Sequence, residues 1–426
     1  MKILAGTEFI ESLPALRNGT QDRFEEAVRP IVEGVRCRGD AAVADFTREF
    51  DGVALSPGQF EVTAEERAAA RAGVSDGLIQ AITEARDNVT RFHEKAAPKS
   101  WFTFSGDGTL MGQVVRPLDR VGIYAPGGTA AYPSSVIMGA VPARVAGVRE
   151  TVLCTPPDMT GGANLLVLVA ADLCGVTRIF KVGGAQAVAS MAFGTRTIPR
   201  VRKIVGPGNA YVAAAKKLVY GSVDVDLPAG PSEVMVIAGP EADPDLIAAD
   251  LLAQAEHDPF AQAILVTTSE PLAARVQERV ASRLKDLPRR HIAGKALDDG
   301  GRIVIARDLG EAVLIANAYG PEHLQILLDN GLELLPRLEN AGCIFIGPWS
   351  PAAAGDYGAG PNHVLPTGGA ALSFSPLSTS DFVKVSNVAA LSQAGFEAIR
   401  PYATLLARAE GLAGHANSLQ ARGDKP

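Results

Sequence analysis

The sequence predicts an α/β protein made of two serial open parallel-sheet (Rossmann-like) domains, with small helical segments at the N- and C-termini. Three observations carry this. Short β-branched runs alternate with helical runs from about residue 120, glycine turns punctuate the step from strand to helix, and the alternation starts afresh near residue 233. Strand, turn and helix recurring at that period are βαβ units, which build a parallel sheet covered on both faces. At 426 residues the chain also exceeds the size of one compact core.

In chain order, residues 1–20 read as an N-terminal arm. Residues 21 to about 95 are helix-rich (DRFEEAVRPIVEGVRCRGDAAVADFTREF, then EERAAARAGVSDGLIQAITEARDNVTRFHEKA) and are expected on the outside of one sheet. The first αβ set runs RVGIYAPGG, SSVIMGAVPARVAG, ETVLCTPP, NLLVLVAADLCG, RIFKVGG, AQAVASMAFG, RKIVGPGN and YVAAAKKLVYG. A second set begins at SEVMVIAG and continues through AQAILVTTS, PLAARVQERVASRLKDL, GRIVIA, LGEAVLIANAYG, EHLQILL and CIFIG. The tail after about Ser375 reads as helical, ending in LLARAEGLAGHANSLQ. No solenoid-type repeat or low-complexity segment is present.

The formal net charge of −7 argues against a nucleic-acid-binding face, because nothing neutralises phosphates over a broad surface. No apolar run approaches a membrane span; the best, NLLVLVAADLCGV, is broken by Asp172. Glu8 and Glu11 make the N-terminus a poor secretory signal. The four cysteines (Cys37, Cys154, Cys174, Cys343) lack CxxC spacing and read as reduced thiols of a cytoplasmic protein.

Three glycine turns of the first set, Tyr124 to Gly128, Val182 to Gln186 and Gly206 to Asn209, each follow a strand and open a helix. That edge of an open sheet carries ligand crevices, and helix N-termini hold phosphates. None is a GxGxxG fingerprint, so ordinary βα turns are an equal reading. In DLLAQAEHDP, Gln254 and His257 lie three apart at a helix end and face one way. A lone histidine there is a dipole-compensating cap, but Asp356 in the glycine-rich GDYGAGPNH segment adds a carboxylate. Amide, imidazole and carboxylate together suit a divalent metal such as zinc and leave it Lewis acidity. Glu322 and His323, adjacent after Gly320 and Pro321, read as an acid/base pair at an irregular strand entrance or as a solvated strand end. His363 is a supporting partner of Asp356 or a loop residue, and His93 and His291 read as surface.

Longer segments then point to a family. RCRGDAAVADFTREFDG, VGIYAPGG, YPSSVIM, VGGAQAVA, KIVGPGN, AGPSEVMVIA, DLLAQAEHD, PEHL, GDYGAGPNHVLPTGG and AEGLAGHANS run nearly end to end, and the chain resembles histidinol dehydrogenase. The resemblance implies a zinc- and NAD-dependent enzyme of the last steps of histidine biosynthesis. It implies Gln254, His257, Asp356 and His415 as zinc ligands, the last lent by the partner subunit of a homodimer. Glu322 and His323 match the acid/base pair, with the histidine taking the alcohol proton and the glutamate activating water. Ser232 and Glu410 match substrate contacts, as do the zinc-ligand positions and His323. Tyr124, Gln186 and Asn209 match NAD contacts, one in each glycine turn. The expected division is residues 124–232 for NAD, residues 21–123 and 233–376 for metal and substrate, and residues 377–426 as a helical tail reaching the partner. One departure stands out: Val385 follows Lys384 where family members commonly carry a second basic residue, outside every matched site position. The alternatives are a dehydrogenase of another primary alcohol, such as a sulfopropanediol, a zinc hydrolase, and a non-catalytic dinucleotide-binding protein.

Overall fold

The computed structural model describes residues 1–17, 21–127, 132–226 and 230–422; Gly128 of the first glycine turn lies outside them. The chain forms two units, one of Met1–Ala96 and Leu118–Phe382, the other of Ala97–Pro117 and Val383–Pro426. The first unit opens with β1 (Lys2–Ala5), α1 (Gly6–Arg17), α2 (Gln21–Arg38), α3 (Asp40–Phe50), α4 (Ala64–Gly73) and α5 (Asp76–Ala96). The second unit then contributes β2 (Trp101–Phe104) and β3 (Leu110–Pro117).

Back in the first unit come β4 (Arg120–Tyr124), α6 (Pro133–Ala146), β5 (Glu150–Thr155), α7 (Leu165–Cys174) and β6 (Arg178–Lys181). They are followed by α8 (Gly184–Phe193), β7 (Lys203–Val205), α9 (Ala210–Val219) and β8 (Asp224–Val225). These strands form a parallel sheet in the order β6-β5-β4-β7-β8. The chain winds outward from β4 in one direction and then restarts beside it at β7, so the topological switch falls between β4 and β7. Ligand crevices of doubly wound sheets form at that switch. The strands are nearly continuous apolar runs because both faces are covered.

Helices α6, α7 and α8 are buried around almost their whole circumference, and a helix apolar on every side needs a second layer over it. The N-terminal helices supply that layer. Val28, Ile31, Val32 and Val35 of α2 share a core with Val188 and Ala215, while Ile82 and Val89 of α5 share one with Val141 and Leu168. Helices α2 to α5 thus clothe both sides of the first sheet.

The second α/β set comprises β9 (Glu233–Ala238), α10 (Pro244–Ala255), β10 (Gln262–Thr267), α11 (Glu270–Leu284), α12 (Arg290–Asp299) and β11 (Arg302–Ile305). It ends with α13 (Leu309–Tyr319), β12 (His323–Leu327), β13 (Cys343–Ile346) and α14 (Ala352–Tyr357). Its parallel sheet has the order β1-β11-β10-β9-β12-β13. The winding repeats that of the first sheet, with β1 from the predicted arm added at one edge. The new switch lies between β9 and β12.

The second unit pairs β3 antiparallel with β2 on one side and with β14 (Val383–Ala390) on the other. It continues into α15 (Gln393–Ala409) and α16 (Ala413–Gln420). The tail is therefore not helical throughout. VKVSNVAA carries the period-2 alternation of a strand, and Val385, the departure noted above, pairs with Val115. No helix among the described residues is long and apolar enough to cross a membrane.

His93, expected at the surface, is only 1% exposed. It continues the buried face of α5 set by Ile82 and Val89, and burial pushes its imidazole down to about 4. Because the folded value lies below the unfolded one, the stabilisation is complete above about pH 6.5 and lost as pH falls toward 4. We expect the stability of the wild type to drop by about 3 kcal/mol more than that of His93→Gln across that window. Urea midpoints at pH 7 and pH 4.5 check this; parallel pH dependence in both proteins would contradict it.

Candidate active site

The amino ends of β9 and β12 lie side by side, with His323 opposite Val234 in register. Crossover helices run against the strands, so the C-terminal ends of α10 and α14 return to this same edge. Residues a hundred positions apart, Gln254 in the last turn of α10 and His257 just past it, Asp356 in α14 and Glu322 and His323 at β12, are thereby brought together. The site of the second sheet thus sits at the amino edge of its strands, opposite to the edge expected for a doubly wound sheet.

Glu322 and His323 are 5% and 4% exposed, so a solvated strand end is ruled out. Both side chains are held by the backbone of one residue of β9, Glu233. The Glu233 backbone N–H donates to Glu322 Oε2 at 2.7 Å, and His323 Nδ1 lies 3.0 Å from the Glu233 carbonyl. A carbonyl only accepts, so Nδ1 carries a proton, and Nε2 is the nitrogen that is free when the ring is neutral. His323 Nε2 lies 3.8 Å from Asp356 Oδ1, and Glu322 Oε2 lies 3.5 Å from His323 Nδ1. Burial alone would depress the imidazole, but the Glu322 and Asp356 carboxylates outweigh it and raise His323 to about 9.

Phe345 stacks on His323 with ring centroids 6.1 Å apart. Gly355, next to Asp356, lies against that ring; a Cβ there would come within 2.5 Å of it. The glycine lets α14 sit close enough to bring its carboxylate to His323. Burial foremost raises Asp356, with His323 and His257 opposing and Glu322 reinforcing. His363 Nδ1 is 3.7 Å from Asp356 Oδ1, and burial, then His323, push it down to about 4. It is a partner of Asp356 and not a bystander of the loop.

Sequence reasoning missed Glu233. Its own carboxylate accepts from Gly368 N–H at 2.9 Å, and burial together with Glu322 pushes it up to about 8. Gly230 N–H donates to Thr367 Oγ1 nearby, so residues 367–368 are stapled to the segment carrying Ser232, which is half-buried. The same loop is tied to the first sheet, where Asn362 Nδ2 donates to the Met138 carbonyl of α6 at 2.8 Å.

Gln254 is buried and its side-chain amide has no hydrogen-bond partner among the described residues, while His257 is exposed beside it. A glutamine at this helix end, with His257 three residues on and that imidazole acting on the Asp356 carboxylate, fits a metal-binding role. No three His, Cys, Asp or Glu side chains form a metal-holding group among the described residues; the expected donor set brings two of those types from this unit, His257 and Asp356. Glu410 and His415 lie in the second unit, at the end of α15 and on α16, and both are exposed.

At the first sheet, Tyr124 ends β4 and its hydroxyl accepts from Gly184 N–H at 3.1 Å. Asn209 caps α9, accepting from Tyr211 and Val212 N–H. Gln186 is 1% exposed and its Oε1 has no partner among the described residues, which fits a group waiting for a ligand donor. The turn after β7 is braced by a buried ion pair: Lys216 Nζ lies 2.6 Å from Asp226 Oδ1 and also donates to the Gly206 carbonyl, while Asp226 Oδ2 accepts from Gly206 N–H at 2.6 Å. Gly206 has φ +118°, and a Cβ there would lie 2.1 Å from the Tyr124 carbonyl oxygen, so only glycine lets these two turns meet.

Two doubly wound parallel sheets, one with open turns at its carboxyl edge and the other with a buried carboxylate–imidazole pair, mark an α/β enzyme with an acid/base site. A family model for histidinol dehydrogenase matches residues 16–423. The chain is 52% identical over 395 residues to the histidinol dehydrogenase of Moorella thermoacetica, covering 93% of each. It is 47% identical to that of Clostridium acetobutylicum, covering 98% of this chain and 97% of the relative. The crystal structure of histidinol dehydrogenase from Elizabethkingia anophelis superposes with a TM-score of 0.92 at 37% identity, covering 97% of this chain and 95% of that one. The chain belongs to the histidinol dehydrogenase family, NAD-dependent oxidoreductases that convert histidinol to histidine in histidine biosynthesis.

Proposed function

We propose that the chain carries out the four-electron oxidation of L-histidinol to L-histidine through bound L-histidinal, in a cytoplasmic homodimer with shared sites. The observation that carries this reading is the buried Glu322–His323 pair held by the backbone of the single residue Glu233. His323 Nε2 is the base for the alcohol proton. Glu322 activates the water that adds to the aldehyde in the second half. Retaining the aldehyde in the site protects it from side reactions.

Gln254, His257, Asp356 and His415 of the partner subunit would hold the zinc ion, and Ser232 and Glu410 would contact the substrate. When bound, zinc supplies a Lewis-acidic anchor for substrate nitrogens, which is chiefly an orienting role. Residues 124–232 would hold NAD, the acceptor of both hydrides, through Tyr124, Gln186 and Asn209. The shared site is supported by the second unit, where Tyr402, Leu405, Leu406 and Leu412 remain exposed beside Glu410. Such an apolar group is what a subunit interface covers.

Chelation tests the metal. NADH formation from histidinol is expected to fall by at least about tenfold after chelator treatment and to return with zinc. Turnover of dihydroxypropanesulfonate alone, or hydrolysis of an ester without NAD, would replace this reading with one of its rivals.

A further inference from the structure

Asp51 ends α3 in an Asp–Gly turn and reaches the carboxyl edge of the five-stranded sheet. Its Oδ2 accepts from Gln186 Nε2 at 3.4 Å, and its charge also acts on Tyr124. Burial pushes this carboxyl up to about 6, and no cation among the described residues acts on it. Asp51 therefore has lost water without gaining a strong donor, which is costly for a carboxylate unless a ligand supplies one. Beside it, the buried Gln186 Oε1 is without a partner among the described residues. Two neighbouring acceptors, one held only by a long hydrogen bond and the other unpartnered among the described residues, describe a site for a diol.

Their place in the sheet says which diol. Gln186 follows β6, the third strand outward from the switch, and β4 to β6 with their helices make one mononucleotide-binding βαβαβ half. In doubly wound sheets a carboxylate at this half takes the ribose hydroxyls of the adenosine end. We propose that Asp51 accepts hydrogen bonds from the adenosine ribose of NAD and excludes its 2′-phosphorylated counterpart. The inference rests on the NAD site proposed above. A 2′-phosphate would remove one donor and bring its negative charge against a carboxylate that no cation neutralises, so discrimination arises from repulsion as well as lost bonding.

The test is steady-state kinetics of the full-length, zinc-loaded enzyme with saturating histidinol and varied NAD or NADP, for the wild type, Asp51→Ala and Asp51→Asn. The wild type is expected to prefer NAD by about 100-fold or more in kcat/KM. Asp51→Ala should raise the KM for NAD on the order of tenfold while leaving the KM for histidinol and kcat at saturating NAD nearly unchanged, and should cut the NAD:NADP preference on the order of tenfold. Asp51→Asn, which keeps an acceptor beside Gln186 but not the charge, should lose preference with a smaller rise in KM. It decides the matter should the alanine variant fail to fold. A merely structural Asp51 would weaken both dinucleotides alike and leave the preference intact, and either that result or unchanged KM values would overturn the proposal. A wild type that reduces no NAD at all would instead remove the NAD site on which it rests.

Discussion

Replacing His323 with asparagine is expected to lower kcat for histidinol oxidation by about 10²- to 10⁴-fold, the usual contribution of a positioned general base. Asparagine is the informative substitution because its amide N–H can still donate to the Glu233 carbonyl that now fixes Nδ1. The fold at the β12 entrance is thus preserved while the free nitrogen is lost. Glu322→Gln should behave differently. Its amide oxygen can still accept from Glu233 N–H, but it no longer activates water, so only the second oxidation suffers. In a single turnover with enzyme in excess, the wild type should give two NADH per histidinol and the glutamine variant one promptly and the second slowly. Equal slowing of both steps in Glu322→Gln would undo this division of labour. A His323→Asn enzyme within tenfold of wild type would remove the histidine from the chemistry.

The second large effect concerns the subunits. His257→Ala and His415→Ala homodimers should each be nearly inactive, because every site lacks one metal ligand. In a mixed dimer both lesions fall in the same site, leaving the other with a full set of donors. Random exchange of equal amounts makes half the dimers mixed, each with one sound site of two, so activity should recover to about a quarter of wild type. Verified exchange without recovery would mean that His415 serves its own subunit or none.

Much of this was legible because the physical signals were local. Strands buried on both faces must be apolar throughout, and EVMVIA, QAILVT and RVGIY announce themselves. The turns carrying Tyr124, Gln186 and Asn209 were marked by glycine, and Gln254 and His257 by helical spacing. The convergence of those two with Asp356 was not legible: it depends on α10 and α14 both returning to the amino edge of the second sheet, a property of winding and not of spacing. Resemblance supplied that step. Glu233 escaped notice because it acts largely through its backbone, which any residue possesses. His93 was misread because Arg91, Glu94 and Lys95 surround it in sequence, whereas the helical period that joins it to Val89 and Ile82 places it inside. Strand β14 was absorbed into a helical tail because its partner β3 ends at residue 117 and pairing resumes only at 383.

That last separation has a consequence for biogenesis. During translation the β2–β3 ribbon emerges early, with one flank of β3 open to any passing strand. The strand that covers it is made on the order of tens of seconds later at ordinary elongation rates. Until then the nascent polypeptide carries a sticky margin on which neighbouring ribosomes' products can zip together, and a polypeptide truncated before Val383 would carry it permanently.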